Sequence, residues 1–247
     1  MSIPGRMRAI LLTGHGGTEC LSLRTDIPVP VPGPGDVLVR VLAAAVNNTD
    51  INTRIGWYSK TVTEATDAVG DPGEGGAEDG GWTGAFSFPR IQGADACGRI
   101  VRVGEGVDPA RIGERVLIDP ILRGPDLGDI RYLGSEVDGA FADYLCVPAA
   151  NACVVTSGYS DVELASFPCA YSTAENLLTR LQVKAGERVL ITGASGGVGS
   201  AAVQLAKRRG AHVTAQCGAE KTAALLALGA DAVVDRGAAA MASRCAL

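Results

Sequence analysis

The sequence predicts a mixed fold, a small and strongly bent β barrel followed by one β-α-β-α-β unit of a parallel α/β sheet, and three observations carry that reading. Through roughly the first 150 residues, short runs of β-branched and aliphatic residues are bounded by Gly, Pro and Asp and show no helical period. From Ser160 the apolar spacing turns helical, in SDVELASF and STAENLLTRL. Residues 187–235 then alternate the strand-like ERVLIT, AHVTAQ and ADAVVD with the helix-like AAVQLAKRRG and EKTAALLALG. Two domains are expected, residues 1–155 and 156–247.

In chain order, Arg8–Leu12, Leu21–Leu23 and Val37–Val46 read as strands, and PVPVPGPG at Pro28–Gly35 forces an extended approach to the third. Ile100–Val103, Arg115–Ile118 and Phe141–Val147 continue the barrel, each closed off by Gly, Asp or Pro. Ser160 and Ser172 stand where N-caps belong, just ahead of an apolar turn. In the α/β unit the first helix ends in Lys207, Arg208 and Arg209 before Gly210. The cations complement the negative helix end and the glycine supplies a left-handed cap. Gly229 ends the second helix in the same way. Residues 61–84 break the pattern, with seven Gly, six acidic residues and no Lys, Arg, Leu or Ile. They cannot bury enough apolar surface to order themselves and read as a surface loop, with a lid as the functional alternative. WYSK and FSFPR on its flanks are the aromatic clusters of the sequence.

Composition excludes several classes of function. Lys plus Arg is 22 and Asp plus Glu 27, a formal net charge of −5, and without a long basic run nothing offers itself to a phosphate backbone or an anionic membrane. No uncharged apolar run approaches a membrane span, and Ala9–Leu12 is too short for a signal-peptide core, so a cytoplasmic protein is expected. The seven cysteines are odd in number and form no C-x-x-C pair, which favours reduced thiols, most of them small buried hydrophobes, over disulfides or a zinc ribbon.

The strongest chemical signal is Gly193-Ala194-Ser195-Gly196-Gly197-Val198-Gly199, set between a strand and a helix. In that context the turn aims helix-start N–H groups at a pyrophosphate. Gly193 permits the turn, Gly196 and Gly197 let phosphates approach the backbone, and Gly199 lets helix and strand touch; Ser195 and Val198 complete the cradle. An NAD site would place an acidic residue at the end of the second strand. Here that place reads Thr214-Ala215-Gln216-Cys217-Gly218, and Lys221 follows one turn later, so the expected cofactor is NADP(H).

With these motifs assembled, the chain resembles the medium-chain dehydrogenase/reductase superfamily, the alcohol dehydrogenase and quinone oxidoreductase group. MRAILLTGHGG, PGPGDVLVRVLAAAVNNTDINTRIGWY, FPRIQGADACGRIVRVGEGV, IGERVLIDP, GAFADYLCVPAAN, FPCAYSTAENLL and GERVLITGASGGVGSAAVQLAK carry the resemblance across nearly residues 7–236. It implies an N-terminal GroES-like domain carrying the substrate and a Rossmann domain carrying the cofactor. Zinc members place Cys, His and Cys where this chain has Asn47, Ala94 and Cys169, so two of three ligands are missing and no metal is expected. His15 and His212 are read as structural. Val46, Asn47, Asp50, Arg54, Gly56 and Tyr58 look like the zinc-lacking quinone oxidoreductase branch. Without a Lewis acid, hydrogen bonds must stabilise the developing charge of a conjugated carbonyl or quinone.

Asn47 and Tyr58 are the candidates for that task, with Thr49 at the place of the zinc enzymes' proton-relay hydroxyl. The alternatives stay open: Asn47 as a helix cap, Tyr58 as an anchor for the acidic loop. Thr173 resembles a cofactor-contacting threonine. The sequence holds one β-α-β-α-β half of the doubly wound fold. The leading expectation is an NADPH-dependent, zinc-independent reductase of quinones or α,β-unsaturated carbonyls, acting on a small-molecule carbonyl or quinone substrate, with a homo-oligomer left open. The competing expectations are an inactive fragment recognising the ADP end of the nucleotide, and a zinc-type alcohol dehydrogenase.

Overall fold

The computed structural model describes residues 2–60, 62–63, 80–82, 86–124, 126 and 128–237. Most of the acidic glycine-rich loop lies outside the described residues. In order, the elements are β1 (Arg6–Leu12), β2 (Leu21–Pro28), β3 (Asp36–Ala45), α1 (Asn48–Arg54), β4 (Arg90–Ile91), β5 (Asp95–Val103), β6 (Arg115–Ile118), β7 (Ile121–Arg123), β8 (Ile130–Tyr132), β9 (Tyr144–Pro148), β10 (Ala152–Val154), α2 (Asp161–Ala165), α3 (Pro168–Arg180), β11 (Arg188–Ile191), α4 (Gly197–Arg208), β12 (His212–Cys217), α5 (Thr222–Ala227) and β13 (Ala232–Asp235). They fall into two compact units, Met1–Pro168 and Cys169–Leu247.

The first unit is built on a five-stranded antiparallel sheet ordered β10-β6-β5-β3-β9, with a second sheet β2-β1-β4 and the hairpin β7-β8. Its core gathers Val37, Val39, Ile100, Val116, Ile118, Leu145 and Val147, each worth about 1.5–3 kcal/mol when fully buried. The strand expected at Phe141–Val147 begins only at Tyr144. Phe141 instead accepts from the Ile10 N–H at 2.9 Å and donates to the Gln92 carbonyl at 2.8 Å, crossing between sheets.

Residues 156–168 pack with this unit although their pattern is helical. Ser160 caps α2, its N–H donating to Glu163 Oε2 at 2.8 Å while the Glu163 N–H donates back to Ser160 Oγ. Leu164 and Ala165 then bury against Cys97, Ala43 and Leu117 of the five-stranded sheet. Ser172 is not a cap. α3 begins four residues earlier, at Pro168, whose missing N–H costs nothing at a helix start, and the Ser172 hydroxyl donates to the Cys169 carbonyl at 3.4 Å.

In the second unit the described strands form a parallel sheet ordered β11-β12-β13, with Arg188 level with His212 and Thr214 with Ala232. Ala201, Val203 and Ala206 of α4 pack against Val213 and Ala215; small side chains let helix and sheet approach closely. Tyr171 of α3 accepts from Gln204 at 2.9 Å, and Glu175 pairs with Arg209, so α3 is tied to α4. Gly210 and Gly229 adopt φ of +82° and +105°, the left-handed caps expected of them.

Of the six described cysteines only Cys97 and Cys217 are buried and Cys153 is exposed, so most are not core residues. Among the described residues no helix is long and apolar enough to cross a membrane.

Candidate functional site

The second unit holds the glycine turn. Gly193 takes φ +58°, a conformation that side chains disfavour, and its carbonyl accepts from the Gly196 N–H at 3.0 Å, closing the turn. A Cβ on Gly199 would press on the Gly193 carbonyl oxygen and stand 2.7 Å from the Ala194 Cα; here α4 meets the end of β11. Gly197 is different. A Cβ there would meet only the Ala170 Cβ, at 3.6 Å, and Ser195, Gly196 and Gly197 are all exposed. Internal packing therefore does not explain glycine at 197, in the first turn of a twelve-residue helix. Val198, half-buried in the first turn, packs against the unit's core.

Three further features share the carboxyl ends of these strands, where α/β sheets place ligands. The Ala194 N–H donates to the Gln216 carbonyl at 3.0 Å, so the end of β12 lies beside the glycine turn. Lys221, exposed, follows β12 just before α5. Ala170 faces Gly197, and Thr173 lies one turn farther along α3, its hydroxyl donating to the Cys169 carbonyl at 2.7 Å. Glu220 is a residue that sequence reading missed. Its carboxylate folds back over Gly218, where a Cβ would stand 2.7 Å from both oxygens. A negative charge therefore does stand just past β12, next to Lys221.

The first unit holds Asn47, Thr49 and Tyr58. Asn47 is the N-cap residue of α1, and its N–H donates to the Asp50 carboxylate at 2.8 Å. Asp50, 6% exposed, also accepts from the Gly93 N–H at 3.1 Å, and the Gln92 amide donates to its carbonyl at 2.9 Å. These bonds fasten α1 to the turn before β5. Burial pushes the Asp50 carboxyl up from its ordinary value, against the backbone N–H groups of Asn47, Gly93 and Ala94 that favour its charge.

The Asn47 side-chain amide donates to Asp95 Oδ2 at 2.9 Å, and Asp95 is fully buried. One of the two amide hydrogens of Asn47 is thus committed. Thr49 Oγ1 accepts from the Trp82 indole N–H at 2.7 Å. Tyr58 touches Trp57 and Trp82, with ring centroids 5.5 and 5.3 Å away.

Arg54 pins the early glycine turn through the Gly16 carbonyl. His15 Nδ1 lies 2.8 Å from the Thr53 carbonyl, so that nitrogen carries the proton, and its ring packs against Phe86 and Phe88. Ala94 is buried and apolar, and among the described residues no three His, Cys, Asp or Glu side chains are grouped to hold a metal.

Comparison with known proteins agrees with this architecture. Residues 33–157 match the alcohol dehydrogenase GroES-like domain family. The chain is 29% identical over 236 residues to the NADPH-dependent alkenal/one oxidoreductase of Arabidopsis thaliana, covering 95% of this chain and 53% of that protein. It is 30% identical over 216 residues to the quinone oxidoreductase of Homo sapiens, covering 87% and 54%. A provisionally assigned alcohol dehydrogenase of Sinorhizobium meliloti superposes with a TM-score of 0.81 at 49% identity, over 95% of this chain and 63% of that one. The chain therefore spans about half to two thirds of the length of these relatives. With its antiparallel sheets, its parallel unit and its matched segment together, the chain belongs to the alcohol dehydrogenase GroES-like domain family, within the medium-chain dehydrogenase/reductase superfamily.

Proposed function

We propose that the protein is an oxidoreductase that uses NADPH to reduce a quinone or an α,β-unsaturated carbonyl, with hydrogen bonds in place of a catalytic zinc. The observation that carries this reading is the glycine turn, in which Gly199 is required by the fold and exposed Gly197 is not. The first is explained by packing, and the second by a phosphate group at the start of α4. Relatives named as NADPH-dependent and as quinone oxidoreductases support the same chemistry.

When bound, the reduced nucleotide supplies a hydride, and with one proton from solvent a quinone becomes a hydroquinone as NADPH becomes NADP+. The chain's own residues hold the rest. Gly193 to Gly199 and Thr173 bind the pyrophosphate and its flank, and Lys221 pairs with a 2′-phosphate. Asn47, oriented by Asp95, offers its second amide N–H to the acceptor oxygen, and the Tyr58 hydroxyl offers another. Thr49 accepts from the Trp82 indole, which leaves its own hydrogen to donate and strengthens it as a donor. The donor set speaks against zinc, since Asn47 and Ala94 bring neither thiolate nor imidazole.

The test is NADPH oxidation at 340 nm by chelator-treated protein, with a quinone and an enone as acceptors and the metal content measured alongside. Turnover that survives chelation is expected. Activity that returns only with added zinc would overturn the zinc-free reading. Nucleotide binding without turnover on any acceptor would leave recognition standing and remove hydride transfer.

A further inference from the structure

Two rings that precede the acidic segment, one at its far end and one from β8 form a single structure. Trp57, Tyr58, Trp82 and Tyr132 follow one another with centroid separations of 5.5, 5.3 and 4.6 Å. They come from three separate places, the turn after α1, residues 80–82 and the end of β8. The sequence has two Trp and five Tyr in 247 residues, so both Trp and two of the Tyr stand in this one wall.

Trp82 is anchored at both ends. Its backbone N–H donates to Ser135 Oγ at 3.3 Å and its indole N–H to Thr49 Oγ1 at 2.7 Å. Both of its N–H groups are bonded, yet 47% of the residue is exposed. A fixed, apolar and electron-rich surface is thus held in water beside two of the hydroxyls assigned to the acceptor, Thr49 and Tyr58.

We propose that Trp82 and Tyr132 are specificity-determining residues that select acceptors with a planar conjugated ring over small acyclic enones. The proposal deepens the function argued above and rests on its placement of the acceptor oxygen at Asn47, Thr49 and Tyr58. An oxygen held by the Thr49 and Tyr58 hydroxyls carries its ring along the wall, because Tyr58 belongs to the wall and Thr49 is bonded to it. A quinone ring is electron-poor, and the indole and phenol faces are electron-rich, which favours offset stacking beyond simple area burial. A chain of one carbonyl and one double bond has too little surface to gain from the same contact.

The probe is 2,3-dimethyl-1,4-naphthoquinone, whose blocked ring carbons resist thiol addition, compared with mesityl oxide. In Trp57→Phe, where Trp82 is the remaining indole, saturable quenching by the naphthoquinone is expected, and mesityl oxide should not compete at equal concentration. Equilibrium dialysis should show naphthoquinone binding about tenfold weaker in Trp82→Leu and in Tyr132→Leu, with most of the loss restored in Trp82→Phe. The ratio of kcat/KM for naphthoquinone over mesityl oxide should fall by a similar factor.

Unchanged naphthoquinone binding in both leucine variants, each verified as folded by circular dichroism, would overturn the proposal. An unchanged acceptor ratio in an active enzyme would also overturn it. Absence of NADPH turnover with either acceptor, while Trp82 still binds the quinone, would instead refute the function and leave the wall as a ring-binding site.

Discussion

Alanine at Gly199 and at Gly197 should have opposite effects, because the two glycines are needed for different reasons. A Cβ on Gly199 would press on the Gly193 carbonyl and stand 2.7 Å from the Ala194 Cα, about 1 Å inside ordinary carbon contact. Both neighbours are backbone, so no rotamer relieves the clash and the turn itself must move. Overpacking costs about 1–3 kcal/mol, and a backbone clash puts Gly199→Ala at the upper end. A Cβ on Gly197 meets only Ala170 at 3.6 Å. Gly197→Ala therefore loses nothing in packing and removes freedom from the unfolded chain, a gain of about 0.4–1 kcal/mol.

At a urea slope of about 1–3 kcal/mol per M, Gly199→Ala should lower the midpoint of the second unit by roughly 1–3 M while Gly197→Ala holds or raises it. Trp57 and Trp82 both lie in the first unit, so indole fluorescence would follow the wrong transition. Far-ultraviolet circular dichroism and amide exchange in β12 report the right one. Calorimetric titration of Gly197→Ala should show NADPH binding weakened by about tenfold or more in a fully folded protein. Gly199→Ala as stable as the parent, or Gly197→Ala equally destabilised, would refute the assignment of one glycine to packing and the other to a ligand.

Three further outcomes are expected. Lys221→Ala should narrow the preference for NADPH over NADH by about 1–2 kcal/mol, whereas Glu220→Gln, which removes the charge folded over Gly218, should widen it; nucleotide titration reads both. The Asp50 carboxyl has its pKa raised on folding by burial. The folded state therefore keeps a proton that the unfolded state has released, and stability falls as pH rises from the ordinary carboxylate value, near 4, through the raised folded one. Measured against Asp50→Asn, which isolates this group from the other carboxyls, the urea midpoint of the parent should lose ground as pH rises across that range. Among the described cysteines exposed Cys153 should react first with iodoacetamide at pH 8. Cys146, pushed up to about 11 by burial with the Asp36 charge adding to it, should lag by roughly tenfold or more, as mapped by mass spectrometry.

How much of this was legible in the sequence depends on whether a feature is local. The β11-turn-α4 segment could be read because its cues are adjacent: an apolar run, glycines at fixed offsets, then a cationic last turn before Gly210. Ser160 could be read as a cap for the same reason, with Glu163 three residues on. Ser172 misled because Ser-Thr ahead of an apolar run resembles a cap, while Pro168, which can open a helix without an N–H to satisfy, had already started it. Phe141 misled because its bonds go to Ile10 and Gln92, partners far away in sequence.

The acceptor side shows where local reading stops. Asn47, Thr49 and Tyr58 could be picked out from their spacing, but what each can offer is set by residues that spacing does not reveal. Asp95 takes one of the two amide hydrogens of Asn47 across 48 positions, and Trp82 takes a lone pair of Thr49 across 33. The Trp82 signal was present as an aromatic at the edge of a segment otherwise too polar to order itself, but nothing local says where such a ring comes to rest. Glu220 was hidden in the opposite way, since an acidic residue beside a lysine reads as part of a solvated helix start. Only the backbone at Gly218, with no Cβ to keep the carboxylate away, lets it fold back over the end of β12. Polar side chains with more than one bond to make are where sequence and site part company, because a motif fixes the residue and the fold decides which of its bonds are already spent.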